Sequence, residues 1–206
     1  AEGAFANIGL ALVSHRHHDH NQPAHACRFL QASERTRLKT SPQVLGLMRE
    51  KCREFITSSP RVEQIVADYD KHPSFRLGEA EISVFPLSHG TRKYARIQNY
   101  GHLVKIGGVN VLHIGDAAMA RADFEKAGLA DQRIDVALIP NWSFQPGPGA
   151  AVIREFLDAP HQIAVHIPPG EMEEVKNHLQ DSYPAVTVLE TPLESIRITA
   201  SRSTRP

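Results

Sequence analysis

The segment Ser14-His15-Arg16-His17-His18-Asp19-His20 constrains this chain of 206 residues more than any other stretch. It carries the spacing His-x-His-x-Asp-His directly after the apolar run Leu10–Val13, where a buried strand must turn into a loop. Alternate residues of an extended chain point the same way, so His15 and His17 can grip one ion together. Asp19 and His20 lie past the bend and face a second position, about 3.5–4 Å away in two-metal hydrolases. Imidazole nitrogen with carboxylate oxygen suits Zn²⁺ first, and Fe or Mn next. The chain holds 12 histidines in all, an unusually large number that points the same way.

Further ligands are expected at the ends of apolar runs. His89 follows the run 82–87, Asp116 follows 109–114 and His166 closes 163–165. Each can reach into one mouth at the edge of a sheet. Elsewhere the pattern reads as strands over 82–87, 102–106, 109–114, 136–140, 163–167, 186–189 and 195–199. Helices are expected from Ser41-Pro42, from Ser59-Pro60, and over 122–127, 150–157 and 171–179. Strands interleaved with helices define an α/β layered domain over residues 1–200, with 201–206 a flexible tail. Cys27 and Cys52 lie in helical patterns and read as packing residues.

Charge excludes several partners. Twenty-three basic and 23 acidic residues cancel, so no overall field draws nucleic acid or anionic lipid. No apolar run approaches a membrane span. A soluble protein is expected, in the cytoplasm by default, with a small molecule as its partner. Two loops bear on that molecule. Arg92, Lys93 and Arg96 follow His89 and could anchor an anionic group. Trp142 follows the strand 136–140 and could form an apolar pocket wall.

The ordered set His15, His17, Asp19, His20, His89, Asp116 and His166 resembles that of metallo-β-lactamase-fold hydrolases, and the likeness runs from Leu10 to Ile167. The resemblance implies an αββα sandwich and two metal ions, zinc foremost. It implies His15, His17 and His89 on one metal, Asp19, His20 and His166 on the other, and Asp116 bridging both. It further implies metal-assisted hydrolysis by a bridging hydroxide, with Asp19 as the catalytic group that orients the nucleophile and shuttles its proton.

Within that superfamily, β-lactamases with this motif lack the bridging carboxylate, and no arm for transfer RNA of the ribonuclease Z type is visible. Too little chain follows His166 for a glyoxalase II-like helical domain. The passage 134–140 with Pro146-Gly147-Pro148-Gly149 is most similar to small hydrolases related to ascorbate-6-phosphate lactonase. A non-catalytic metal-binding scaffold is the reading from another class. Family members carry several strands ahead of the motif, whereas only 14 residues precede His15 here. The front half-sheet is therefore expected to be absent, replaced, or supplied by another copy or a separate segment.

Overall fold

The structure is a computed structural model, and it describes residues 5–199; the expected tail lies outside them. A first unit runs β1 (Leu10–Val13), α1 (Pro23–Ala32), β2 (Arg37–Thr40), α2 (Pro42–Ser58) and β3 (Val62–Gln64). Its three strands pair in parallel in the order β1-β2-β3. The chain continues through β4 (Ser74–Leu77), β5 (Ala80–Pro86), β6 (Tyr100–Ile106) and β7 (Val109–His113). It then alternates α3 (Arg121–Lys126), β8 (Val136–Pro140), α4 (Gly149–Phe156), β9 (His161–Val165), α5 (Met172–Ser182) and β10 (Val186–Val188). These seven strands form one sheet, β10-β9-β8-β7-β6-β5-β4, antiparallel from β4 to β7 and parallel from β7 to β10.

Alternation along the strands sorts the apolar side chains into layers. Ala11, Val13 and Leu38 face α1 and α2, meeting Leu30, Val44, Leu45 and Met48. Leu10 and Leu12 point the other way, onto Ile82, Val84 and Tyr100 of the large sheet. The opposite face of that sheet buries Leu103, Leu112, Ala137 and Ile139 against Phe124, Val152, Phe156 and Leu179. Helices, two sheets and helices are thus stacked as the expected αββα sandwich; the front sheet, expected to be missing, is built by β1-β2-β3, two of whose strands follow the histidine motif instead of preceding it.

Ser41 caps α2 as its sequence predicts, its side chain accepting from the Val44 amide with Pro42 behind it. The helix expected from Ser59-Pro60 does not form. Ser59 instead closes α2, its amide donating to the Phe55 carbonyl, and Val62 enters β3 opposite Leu38. Arg61 is drawn away from a helical turn because its guanidinium donates to the carbonyls of Leu30, Ser33 and Thr36, which end α1 and its following turn. The strand expected over 163–167 stops at Val165, since His166 takes a left-handed φ of 59°. Residues 195–199 form no strand; the large sheet ends at β10, and Ile196 stays exposed.

The two cysteines, expected only to pack, are bonded to each other. Cys27 and Cys52 are joined in a disulfide that ties α1 to α2 across a sequence separation of 25. Both do lie in helices, but α2 is kinked at Cys52, whose φ/ψ of −148°/57° is not helical. Closing a loop of that length removes denatured-state entropy equivalent to about 3.5 kcal/mol. Urea unfolding with and without reductant should therefore differ by about that amount, and Cys27→Ala/Cys52→Ala should behave like the reduced protein.

Candidate metal centre

One edge of the sandwich gathers the ends of β1, β5, β7 and β9, and each delivers polar side chains to the same place. The turn after β1 is closed by the His20 and Asn21 amides, which donate to the His17 carbonyl at 3.1 and 2.7 Å. It is held to the large sheet by the Tyr100 amide, which donates to the Ser14 carbonyl at 2.9 Å. Asn99, buried at the start of β6, clamps two further loops. Its Nδ2 donates to the carbonyls of Leu87 and Ile114, and its Oδ1 accepts from the Asp116 amide at 3.0 Å. That approach requires Gly115, which has φ 57°, because a Cβ there would lie 2.1 Å from Asn99 Oδ1. His166 holds its own strained backbone with help from Asn141, whose Nδ2 donates to the His166 carbonyl.

The seven expected ligands converge in two groups. His15, His17, His89 and Asp116 offer ligand atoms all within 4.8 Å of one another, and so do Asp19, His20, Asp116 and His166. In the first group, His15 Nε2, His17 Nδ1 and His89 Nε2 lie 3.0–3.2 Å apart. A tetrahedral zinc with Zn–N near 2.05 Å would set its nitrogens about 3.3 Å apart, so these donors are already spaced for an ion. In the second group His166 Nε2 lies 2.8 Å from Asp19 Oδ2, and His20 Nε2 lies 3.0 Å from Asp116 Oδ1. Asp116 belongs to both: its Oδ2 is 3.6 Å from His15 Nε2 and 3.5 Å from His89 Nε2. Its Oδ1 is buried and faces only the His20 Nε2 edge, and a metal ion between the two would satisfy both.

Electrostatics prepares these groups for a cation. Burial, and then the neighbouring His20, hold the His15 imidazole down to about 3, so it is neutral with a lone pair free at ordinary pH. Burial would raise the Asp116 carboxyl, but the hydrogen bond and charge of His20, with His15 and His166, keep it below its usual range. Ser14 serves both groups at once. Its buried hydroxyl lies 3.1 Å from His15 Nδ1 and 3.1 Å from His20 Nδ1. Two imidazoles ligating through Nε2 carry N–H at Nδ1, and one hydroxyl oxygen has two lone pairs to accept both.

Two cavities flank the ligands and share Asp19, Asp116 and His166. One, about 300 Å³, has Trp142 and Tyr94 in its wall. Trp142 stands edge-on to His166, with centroids 4.6 Å apart, and Tyr94 stacks on His89 at 5.1 Å. The other, about 360 Å³, runs along His113, Val165 and Ile167. Arg92, Lys93 and Arg96 are exposed and line neither cavity; the turn Arg92–Tyr94 brings Tyr94 inward instead. Ser14, Asn99, Tyr94 and Asn141 are positioning or wall residues absent from the sequence-based expectation. Only Ser14 had a local signal, its place next to the motif.

Residues 2–189 match the Beta-lactamase superfamily domain, and the chain belongs to that family. No curated protein matches the sequence. Solved structures share the fold at low identity. A candidate metal-dependent hydrolase from Parabacteroides distasonis is 19% identical with a TM-score of 0.62, covering 92% of this chain and 79% of its own. A second, from Veillonella parvula, is 18% identical with a TM-score of 0.63, covering 90% and 75%. Zn²⁺-bound PqqB from Methylobacterium extorquens is 14% identical with a TM-score of 0.60, covering 90% and 72%.

Because Ser14 orients one ligand of each group, Ser14→Ala should weaken both metal sites together. Outer hydrogen bonds of this kind are worth about 10–100-fold in metal affinity. Chelator competition monitored by metal analysis should show both equivalents lost at lower chelator concentration, while Ser14→Thr, which keeps the hydroxyl, holds them.

Proposed function

We propose that this protein is a dinuclear metal hydrolase, with zinc the ion its donors suit best, that cleaves an ester, lactone or phosphodiester of a small substrate. The observation that carries this reading is the Asp116 carboxylate, placed between two ligand groups that each offer three further donors. A lone structural zinc needs four ligands and no flanking cavity, so a scaffold role leaves three donors and two cavities unused. Two ions held here would lower the pKa of water toward neutrality and stabilise negative charge on a carbonyl or phosphoryl oxygen.

The chain's own groups complete the chemistry. The Asp19 side chain is about half exposed at 56%, and Oδ2 is held by His166 at 2.8 Å. Oδ1 can therefore accept a proton from water poised over the ligands and return it to the leaving group. Trp142 and Tyr94, both partly exposed, give an aromatic wall against which a substrate can be oriented. The sizes of the two cavities fit a small molecule, which favours a lactonase-like activity over a polymer-cutting, ribonuclease Z-like one. Arg92, Lys93 and Arg96 would meet only a substituent that projects past Tyr94, where they could hold an anionic group. The Cys27–Cys52 disulfide persists best in an oxidising compartment, which argues for a location outside the reducing cytoplasm. No helix among the described residues is long and apolar enough to cross a membrane.

The test is turnover by the apoprotein reconstituted with zinc, assayed on 4-nitrophenyl hexanoate, γ-butyrolactone and bis(4-nitrophenyl) phosphate. At least one should be hydrolysed, activity should track the second equivalent of zinc, and Asp19→Ala should lower kcat by about 10²–10⁴. Two bound zincs with no turnover of any of the three would favour the scaffold.

A further inference from the structure

We propose that His113 is a specificity-determining residue, presenting a fixed N–H to a neutral acceptor oxygen on an apolar arm of the substrate. This rests on the hydrolase reading and names a second subsite for it. His113 ends β7, three residues before Asp116, and lies on the sheet face that also carries Leu138 and Ile163 in register. Its Nδ1 accepts from the Gly115 amide at 3.1 Å. An acceptor at Nδ1 places the ring proton on Nε2. Nε2 makes no hydrogen bond among the described residues, and the ring lines the cavity of about 360 Å³.

The ring is also neutral. Burial, then the charge of His20, push its pKa down to about 4. His102, opposite it across the β6–β7 pair, is buried and pushed to about 3, so the pair brings no charge to this wall. Beyond His113 and the candidate ligands Asp19, His20, Asp116 and His166 at its inner end, the wall is Gly115, Val165, Ile167 and Pro168, with neither lysine nor arginine in it. Such a surface accepts an apolar arm and has one donor to read it. An anionic arm against Val165, Ile167 and Pro168 would lose its hydration without a lysine or arginine to meet it.

The cavity shares Asp19, Asp116 and His166 with the cavity on the Trp142 side. A scissile bond over those three residues would therefore send one substituent to each side. The substrate class that fits is a small ester or lactone with a leaving portion against Trp142 and an acyl arm bearing a ketone, ester or amide oxygen against His113.

Two esters separate the arm from the reaction: 4-nitrophenyl hexanoate and 4-nitrophenyl 5-oxohexanoate, which differ by one acceptor oxygen. Zinc-loaded wild type should prefer the oxo ester in kcat/KM by about tenfold, the scale of one buried hydrogen bond. In His113→Phe the preference should vanish with zinc content unchanged. In His113→Gln, which restores an N–H at a similar reach, it should return. Equal use of the two esters by wild type, or a preference that survives His113→Phe, would overturn the role of His113 while leaving the hydrolase reading intact. Loss of turnover of both esters would count against the reading of function, and the subsite is then judged by binding. In ¹⁵N-histidine NMR, 5-oxohexanoate should shift the Nε2–H signal of His113 and hexanoate should not; equal or absent shifts would overturn it.

Discussion

A buried carboxylate among five imidazoles is the interaction on which the rest of the site depends. The rings of His15, His17, His20 and His89 crowd to centroid separations of 4.1–4.8 Å, with His166 5.2 Å from His20. Burial, with the neighbouring imidazoles adding to it, holds His15 and His17 below the ordinary histidine pKa, so protonating those two rings does not relieve the crowding. Asp116 supplies negative charge at the centre, and divalent cations would supply the positive charge that satisfies nitrogens and carboxylate together. The site is built for metal in its charge balance as well as in its spacing.

The sandwich holds that arrangement through backbone contacts that span sequence-distant loops. Asn99 ties the chain after β5 to the chain after β7, and Tyr100 ties β1 to β6. Ser88, beside His89, is held by the Asp123 carboxylate at the first turn of α3. Rigid elements therefore fix the ligands before an ion arrives, which lowers the entropy lost on binding. The disulfide extends this at the front, since α1 begins three residues after His20 and is anchored to α2 by Cys27.

The seven candidate ligands, which the fold brings into two groups, were legible in sequence because chemistry restricts them. His-x-His-x-Asp-His has few other uses, and His89, Asp116 and His166 each stand where an apolar run stops. The strands 10–13 and 136–140 were equally plain, as continuous apolar runs. What stayed hidden depends on partners far along the chain. Val62 and Ile65 fit a helix three apart or a short strand, and pairing with Leu38 and Thr40 decided for the strand. Cys27 and Cys52 fit packing or bonding, and the crossing of α1 and α2 decided for the bond. Asn99 and His113 carry no local pattern at all; their roles come from which loops the sheet brings beside them. Arg92, Lys93 and Arg96 followed a ligand in sequence, but the intervening turn carried Tyr94 to the ligands and left the cations outside.

Whether one carboxylate joins two metal positions can be read from anomalous diffraction of zinc-loaded crystals. Two zinc peaks are expected about 3.5–4 Å apart, one among His15, His17 and His89 and the other among Asp19, His20 and His166, with the Asp116 carboxylate reaching both. A single peak at saturating zinc, or a second peak that Asp116 does not reach, would show that the carboxylate does not join two positions.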